Sequence, residues 1–424
     1  MSGFTGLAGA PASRLKMVVV LLACASLYAC GGGESVEGEE ASIHPRARMA
    51  SWKAVATSRQ TYAGSMLSTA AITQGSDLVF VFGGPTPDDP EHVCASRRFN
   101  MVRFGATGDV TVDKLPGAVH AREMVAVDFN GDSVPDIFSA NHGCDGGLFA
   151  GEKNSLFLSN GGGYAVGALP NLLSFTHSAD AADIDGDGDN DILVGVYGTL
   201  GSAQVGPYFL INDGGGRFTR VDNLLPARIS QRSETTPAFT SVKLIDVSGD
   251  GKVDVILGGD RTRSVALINN GVDFLTEVPL PHPVDTTVVD IQPIRVGGVR
   301  YLLMNETNGS YSMGRLRAIK YTEAGFETVA ILPKFRNRQW MPFIHIVDLN
   351  GDGRRDILFQ SEAVAEGDVM ALEQTADGRF VPMDRGMLPA TLTSLMPAVF
   401  NGRNVLIGTR RNGNVLVTNV YEYR

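Results

Sequence analysis

The chain has 424 residues, 43% hydrophobic and 19% charged, and its 50 glycines exceed ordinary usage, which favours many tight turns over long helices. The formal charge is −10. Setting aside Arg14 and Lys16 of the N-terminal apolar segment leaves 36 − 2 = 34 basic against 46 acidic residues, or −12, and a chain this acidic lacks the basic face that duplex binding needs, which argues against a nucleic-acid partner.

The one long apolar run, residues 17–29 (MVVVLLACASLYA), follows Arg14 and Lys16. At 13 residues it is too short for a bilayer span of about 20 and reads as the core of a signal peptide. It ends in Leu27-Tyr28-Ala29-Cys30, which resembles the bacterial lipobox. The resemblance implies removal of residues 1–29, lipidation of Cys30 and membrane contact through that lipid alone. By analogy with lipoprotein sorting in a Gram-negative source, Gly31 after the cysteine points to the outer membrane or cell surface. Residues 30–50, with the acidic, glycine-rich GGGESVEGEE, form a flexible tether, and residues 51–424 form the folded domain. Two cysteines remain in that domain, Cys94 and Cys144, and in an exported chain such a pair is expected to be oxidised.

Four segments then share one frame: VDFNGDSVPDIF from Val127, ADIDGDGDNDIL from Ala182, IDVSGDGKVDVI from Ile245 and VDLNGDGRRDIL from Val347. In each, an apolar strand runs into oxygen-bearing side chains at loop positions 1, 3, 5 and 9 and then into a second apolar strand. The sets are Asp128, Asn130, Asp132 and Asp136; Asp183, Asp185, Asp187 and Asp191; Asp246, Ser248, Asp250 and Asp254; and Asp348, Asn350, Asp352 and Asp356. Calcium takes six to eight oxygens, and a tight loop supplies them by wrapping alternate side chains around the ion. Glycine at position 4 permits the turn. Position 12, where an EF-hand needs glutamate, holds Ser139, Val194, Leu257 and Phe359, so these are not EF-hands. The Asp183 loop, with four carboxylates, is the most complete, and Ser248 makes the third loop the weakest.

These loops resemble FG-GAP/VCBS repeats, the units of integrin-α-like propellers, over residues 67–423. The resemblance implies an all-β, seven-bladed β-propeller with Ca2+ in the acidic loops. Three degenerate copies complete the count: STAAITQGSDLVFVFGG from Ser68, TVVDIQPIRVGGVRYLLMNE from Thr287, whose loop is read as holding Gln292, Pro293 and Val296, and MPAVFNGRNVLIGTRR from Met396. The last copy is too short for four strands, and WKAVATSRQT from Trp52 is expected to pair there and close the ring.

In such a propeller the acidic loops share one face. The opposite face would carry His120, Arg122, His142, His177, Arg261, Arg338, Trp340 and Arg410, a set suited to a carboxylate-bearing glycan or an acidic peptide. No G-x-S-x-G, H-E-x-x-H or phosphate-loop motif is present. The expectation is a calcium-binding, surface-anchored monomer for adhesion or for recognition of a glycan or protein ligand. The alternative is a polysaccharide lyase or sugar dehydratase, activities that some propellers of this type have, using histidine and arginine on the funnel. Convergence of His120, His142 and His177 on one pocket, as against scatter around the rim, would discriminate between these readings.

Overall fold

A strand whose side chains are buried on both faces must lie between two other sheets, and the run DLVFVF, within Asp77–Gly83, does so. Leu78, Phe80 and Phe82 pack against Val405, Ile407 and Leu416, near the C-terminus, while Val79 and Val81 pack against Ile137 and Phe157. With a side-chain period of 2, one strand serves two inter-sheet cores. The second strands Asp136–Asn141, Asp191–Val196, Asp254–Gly259 and Asp356–Gln360 are buried throughout in the same way. Their near-continuous apolar runs follow from the stacking of sheets around a ring.

The computed structural model describes residues 52–423 except 62–67, 84–93, 95, 145–148, 199–205, 232–237, 275, 339–340, 362–367 and 390–393. The described residues form seven four-stranded antiparallel sheets, the blades of a β-propeller. In chain order the innermost strands are Ser68–Gln74, Ala121–Val127, Thr176–Ala182, Phe239–Ile245, Thr286–Val296, Phe343–Val347 and Ser394–Phe400. The seventh blade takes its outer strand from the other end of the chain: Trp52–Thr61 pairs with Val415–Tyr423, from Trp52 opposite Tyr423 to Thr61 opposite Val415. The Trp52 indole donates to Met387 O at 2.8 Å and meets the Tyr423 ring edge-on at 5.3 Å, so the join is packed as well as hydrogen-bonded.

The degenerate copies differ from expectation in one respect. Gln292, Pro293 and Val296 lie in the first strand of the fifth blade, not in a loop; the turn is Gly297-Gly298 alone, with φ of 57° and 80°. The seventh blade turns the same way on Asn401-Gly402, with φ of 50° and 70°. Without a carboxylate set to wrap, the strands run on until a two-residue turn with positive φ closes the hairpin.

Innermost strands are stitched across blades by acids. Glu123 accepts from Ala179 N (3.2 Å), Asp180 from Leu244 N (2.8 Å) and Asp290 from Ile344 N (2.8 Å). Glu123, Asp180 and Lys243 line a central cavity of about 210 Å³ together with His345 and Gln360.

Candidate functional site

The best-formed acidic loop is that of the third blade. Asp183, Asp185 and Asp187 bring one oxygen each to within 4.8 Å of one another. Backbone amides hold them there: Asp183 accepts from Gly186 N (2.7 Å) and Gly188 N (3.1 Å), Asp185 from Asp187 N (3.3 Å), and Asp187 from Asp189 N (3.1 Å). Burial, with the carboxylates of Asp187 and Asp191 adding to it, pushes Asp189 up to about 6. Carboxylates gathered this closely repel one another unless a cation sits among them, and oxygen donors of this kind fit calcium.

In the other loops, position 5 already has a partner. Asp132 accepts from the Ser159 hydroxyl at 2.6 Å, Asp250 pairs with Lys252 at 3.2 Å, and Asp352 pairs with Arg354. Arg300 also lies 3.7 Å from Asp246. A cation already at the carboxylate competes with a metal, which ranks the loops of the fourth and sixth blades below the third blade's.

Position 9 has a role that spacing did not reveal. Asp136, Asp191, Asp254 and Asp356 are each 0% exposed. One oxygen accepts from the position-2 amide (Phe129, Ile184, Val247 and Leu349, at 2.7, 3.0, 2.9 and 2.8 Å). The other accepts from the amide at the end of the third strand (Ser159, Asn212, Asn269 and Gln374, at 2.6, 2.8, 2.8 and 2.9 Å). These carboxylates therefore tie each acidic loop to its own blade, while their remaining lone pairs stay available to a metal.

In a four-stranded antiparallel blade, the second loop and the connection to the next blade emerge opposite the first loop, so the acidic loops lie on one face of the ring. On the other, the three histidines converge. His142 N donates to His120 O at 2.7 Å, and the His142 ring lies 4.7 Å from both His120 and His177. His177 stacks on Tyr197 at 4.8 Å, and the Tyr197 hydroxyl donates to Asp260 at 2.7 Å, beside Arg261. Phe175 lies under His142 at 3.6 Å, and Phe149, 41% exposed, meets Phe175 edge-on. Burial, reinforced by Arg122 and His120, holds His177 well below the usual imidazole range, and neither of its ring nitrogens has a hydrogen-bond partner among the described residues.

Four consecutive blades share a further device. The innermost strands break register between Ala121 and Glu123, Thr176 and Ser178, Phe239 and Ser241, and Val288 and Asp290. The extra residues are Arg122, His177, Thr240 and Val289, and all four line one pocket of about 20 Å³ with Glu123, Tyr311 and Phe343. A bulge re-aims a side chain that regular pairing would send elsewhere. Non-glycine residues with φ in the left-handed region cluster on the same face: of five among the described residues, Phe149 (53°), Arg261 (48°) and Tyr311 (53°) lie in second loops. Bulky side chains persist in that region only where their surroundings hold them.

An FG-GAP-like repeat family model matches residues 128–194, which run from the first acidic loop through the second. Residues 128–194 thus match an FG-GAP-like repeat within a seven-bladed β-propeller. A chain of the crystal structure of BBS1N in complex with ARL6DN, soaked with lead, aligns with it at a TM-score of 0.52 and 11% identity, covering 88% of this chain and 97% of that one. At that identity the likeness concerns the fold alone. No curated protein matches the chain.

Of the residues expected on the ligand face of this propeller, the structure gathers His120, Arg122, His142 and His177, with Arg261 reached through Tyr197 and Asp260. Arg338, whose backbone amide donates to Asp368, and Arg410, on the second strand of the seventh blade, are exposed on other blades and do not line the pocket. Trp340 and Cys30 lie outside the described residues. Sequence reasoning missed Glu123, Thr240, Val289 and Tyr311, whose place depends on bulges and on neighbouring blades. It also passed over Asp189, which the acidic run DIDGDGDND does display.

Proposed function

We propose that the protein is a recognition module, stapled by calcium in its acidic loops and anchored by lipid on Cys30 at the outer membrane or cell surface, that binds a glycan or protein ligand on the face opposite those loops. The observation that carries this reading is the turning of four bulge residues into one pocket beside the histidine and tyrosine stack, a constellation that a purely structural ring does not need. Carbohydrate and protein arrays probed with the calcium-loaded protein, alongside Arg122→Ala and His177→Ala, test it. Specific binding that both variants weaken about tenfold or more supports the reading, since hydrogen bonds to charged groups are worth that much. Binding that neither variant alters would place the ligand elsewhere.

One observation favours a second reading, elimination from an acidic polysaccharide or dehydration of a sugar: His177 is neutral, with both ring nitrogens unpartnered, beside Arg122, as a general base requires. Accumulation of an unsaturated product from a ligand found on the arrays would decide for it. The anchoring element has its own test. Cys30→Ser should move the protein from the membrane to the soluble fraction, and a wild-type protein already soluble and starting beyond residue 30 would end that part of the proposal.

A further inference from the structure

We propose that a further binding site lies where the ring closes, between the seventh and first blades on the face of the acidic loops, and that it takes a single neutral pyranose. It lies on the other side of the ring from the proposed recognition face and does not depend on that reading.

In an antiparallel blade the first and third turns emerge together, so on this face the first turn of one blade meets the last turn of the next. Where the first turn is an acidic loop, it reaches its neighbour directly. A Cβ on Gly131 of the second blade would lie 3.4 Å from Gly214 O in the last turn of the third, and one on Gly351 of the sixth would lie 3.6 Å from the Tyr423 ring. Where the first turn is tight, other groups fill the junction. Val296, at the end of the long fifth-blade strand, reaches Gly378 in the last turn of the sixth, with a methyl 2.9 Å from where a Cβ would be. From the first blade Gln74 donates to the Tyr164 hydroxyl at 3.0 Å and Arg103 to Gly162 O at 2.8 Å, both in the second. At the seventh blade the first strand stops at Phe400 and turns at once on Asn401-Gly402. A hollow of about 380 Å³ remains there against the Gly105, Ala106 and Gly108 turn of the first blade.

One wall of this hollow is apolar. The outer strand of the seventh blade breaks register between Ala54 and Ala56, and the extra residue, Val55, lines the hollow with Phe400 and Val405 while standing 40% exposed. A bulge re-aims such a side chain. The facing wall carries nothing larger than the Ala106 methyl, so it presents main chain. At the rim Arg403 pairs with Glu422, and these are the only charged groups among the described residues lining the hollow, so its formal charge is zero. The exposed Arg403 guanidinium and the Asn401 amide bring N–H donors to the edge.

An apolar wall bordered by donors matches a ring with a C–H face and a fringe of hydroxyls, and the volume falls within the range of small-molecule sites. An anion would meet Glu422 and a cation would meet Arg403, which favours a neutral guest. An aromatic side chain of a protein partner would fill the apolar wall and leave the rim donors unused.

The test is saturation-transfer NMR of the calcium-loaded protein with the methyl glycosides of glucose, galactose, mannose and N-acetylglucosamine, with glucuronate, glucosamine and indole as comparisons. The expected result is saturable binding of at least one neutral glycoside with an affinity on the order of 1 mM, as suits a ligand of about a dozen heavy atoms. Arg403→Ala should weaken it about tenfold, and Ala106→Trp, which fills the hollow from its glycine-rich wall, should abolish it. Thermal melts confirm that the variants are folded; should Ala106→Trp fail to fold, Arg403→Ala decides by itself. No saturable binding of any neutral glycoside, binding unchanged in Arg403→Ala, binding that persists in a folded Ala106→Trp, or preference for a charged sugar or for indole would each overturn the proposal.

Discussion

Chelation of calcium should lower the thermal midpoint of the wild-type protein, and Asp187→Ala should remove the largest single share of that shift. Binding to the native state alone raises stability by RT ln(1 + [L]/Kd), about 2.7 kcal/mol per site at a hundredfold excess of free calcium over Kd. The share of the third blade is the largest because its loop alone, among the described residues, brings three carboxylates within 4.8 Å, whereas Asp250 and Asp352 are already paired with Lys252 and Arg354. Removing Asp187 takes a ligand from the middle of the wrap and leaves its neighbours repelling one another around a weaker site. Asp191→Ala is the contrasting variant. Its carboxylate accepts from Ile184 N and Asn212 N, so its loss should destabilise even in chelator, by about 1–3 kcal/mol for each amide left unpaired. A wild-type midpoint that chelator does not move, or a full calcium shift retained by Asp187→Ala, would reduce the loops to ordinary acidic turns.

Replacing both Cys94 and Cys144 by serine should cost about 4 kcal/mol, less any strain the native bridge carries. The two are disulfide-bonded with Cα atoms 5.2 Å apart across 50 residues, and closing a loop of that length restricts the unfolded chain by about that much in the chain-entropy model. The effect should reach the proposed ligand face too, because Cys144 follows His142 and Gly143 directly. Gly143 sits at φ 85° with the Gly151 backbone 2.7 Å from where a Cβ would be, so the two arms of this loop pack backbone against backbone. Without the bridge, the loop that carries His142 and Phe149 loses one of its ties, and ligand affinity should fall together with the melting midpoint. Rapid labelling of both thiols in the unreduced protein would show that the bridge is absent.

Much of this molecule was legible in one dimension. The acidic loops, the apolar runs of the second strands and the need for Trp52–Thr61 to close the seventh blade all follow from local periodicity and from counting strands, because a repeated blade writes the same pattern each time. The degenerate fifth blade was legible as a blade but misread in detail: Gln292 and Pro293 occupy loop positions in the repeat frame, yet without carboxylates to wrap, the hairpin extends past them to Gly297-Gly298. The convergence of His120, His142 and His177 could be posed as a question from the sequence and answered only by the ring, since His120 and His142 flank paired strands of the second blade and His177 comes from the third. The pocket itself had no signal in the chain. A bulge at Arg122, His177, Thr240 or Val289 is a property of two paired strands, with two residues on one opposing one on the other. The burial and the Asp290 carboxylate that push the Glu123 carboxyl up come likewise from groups far along the chain that only the stacking of blades brings near, whereas the amide partners of Asp191 lie within its own blade.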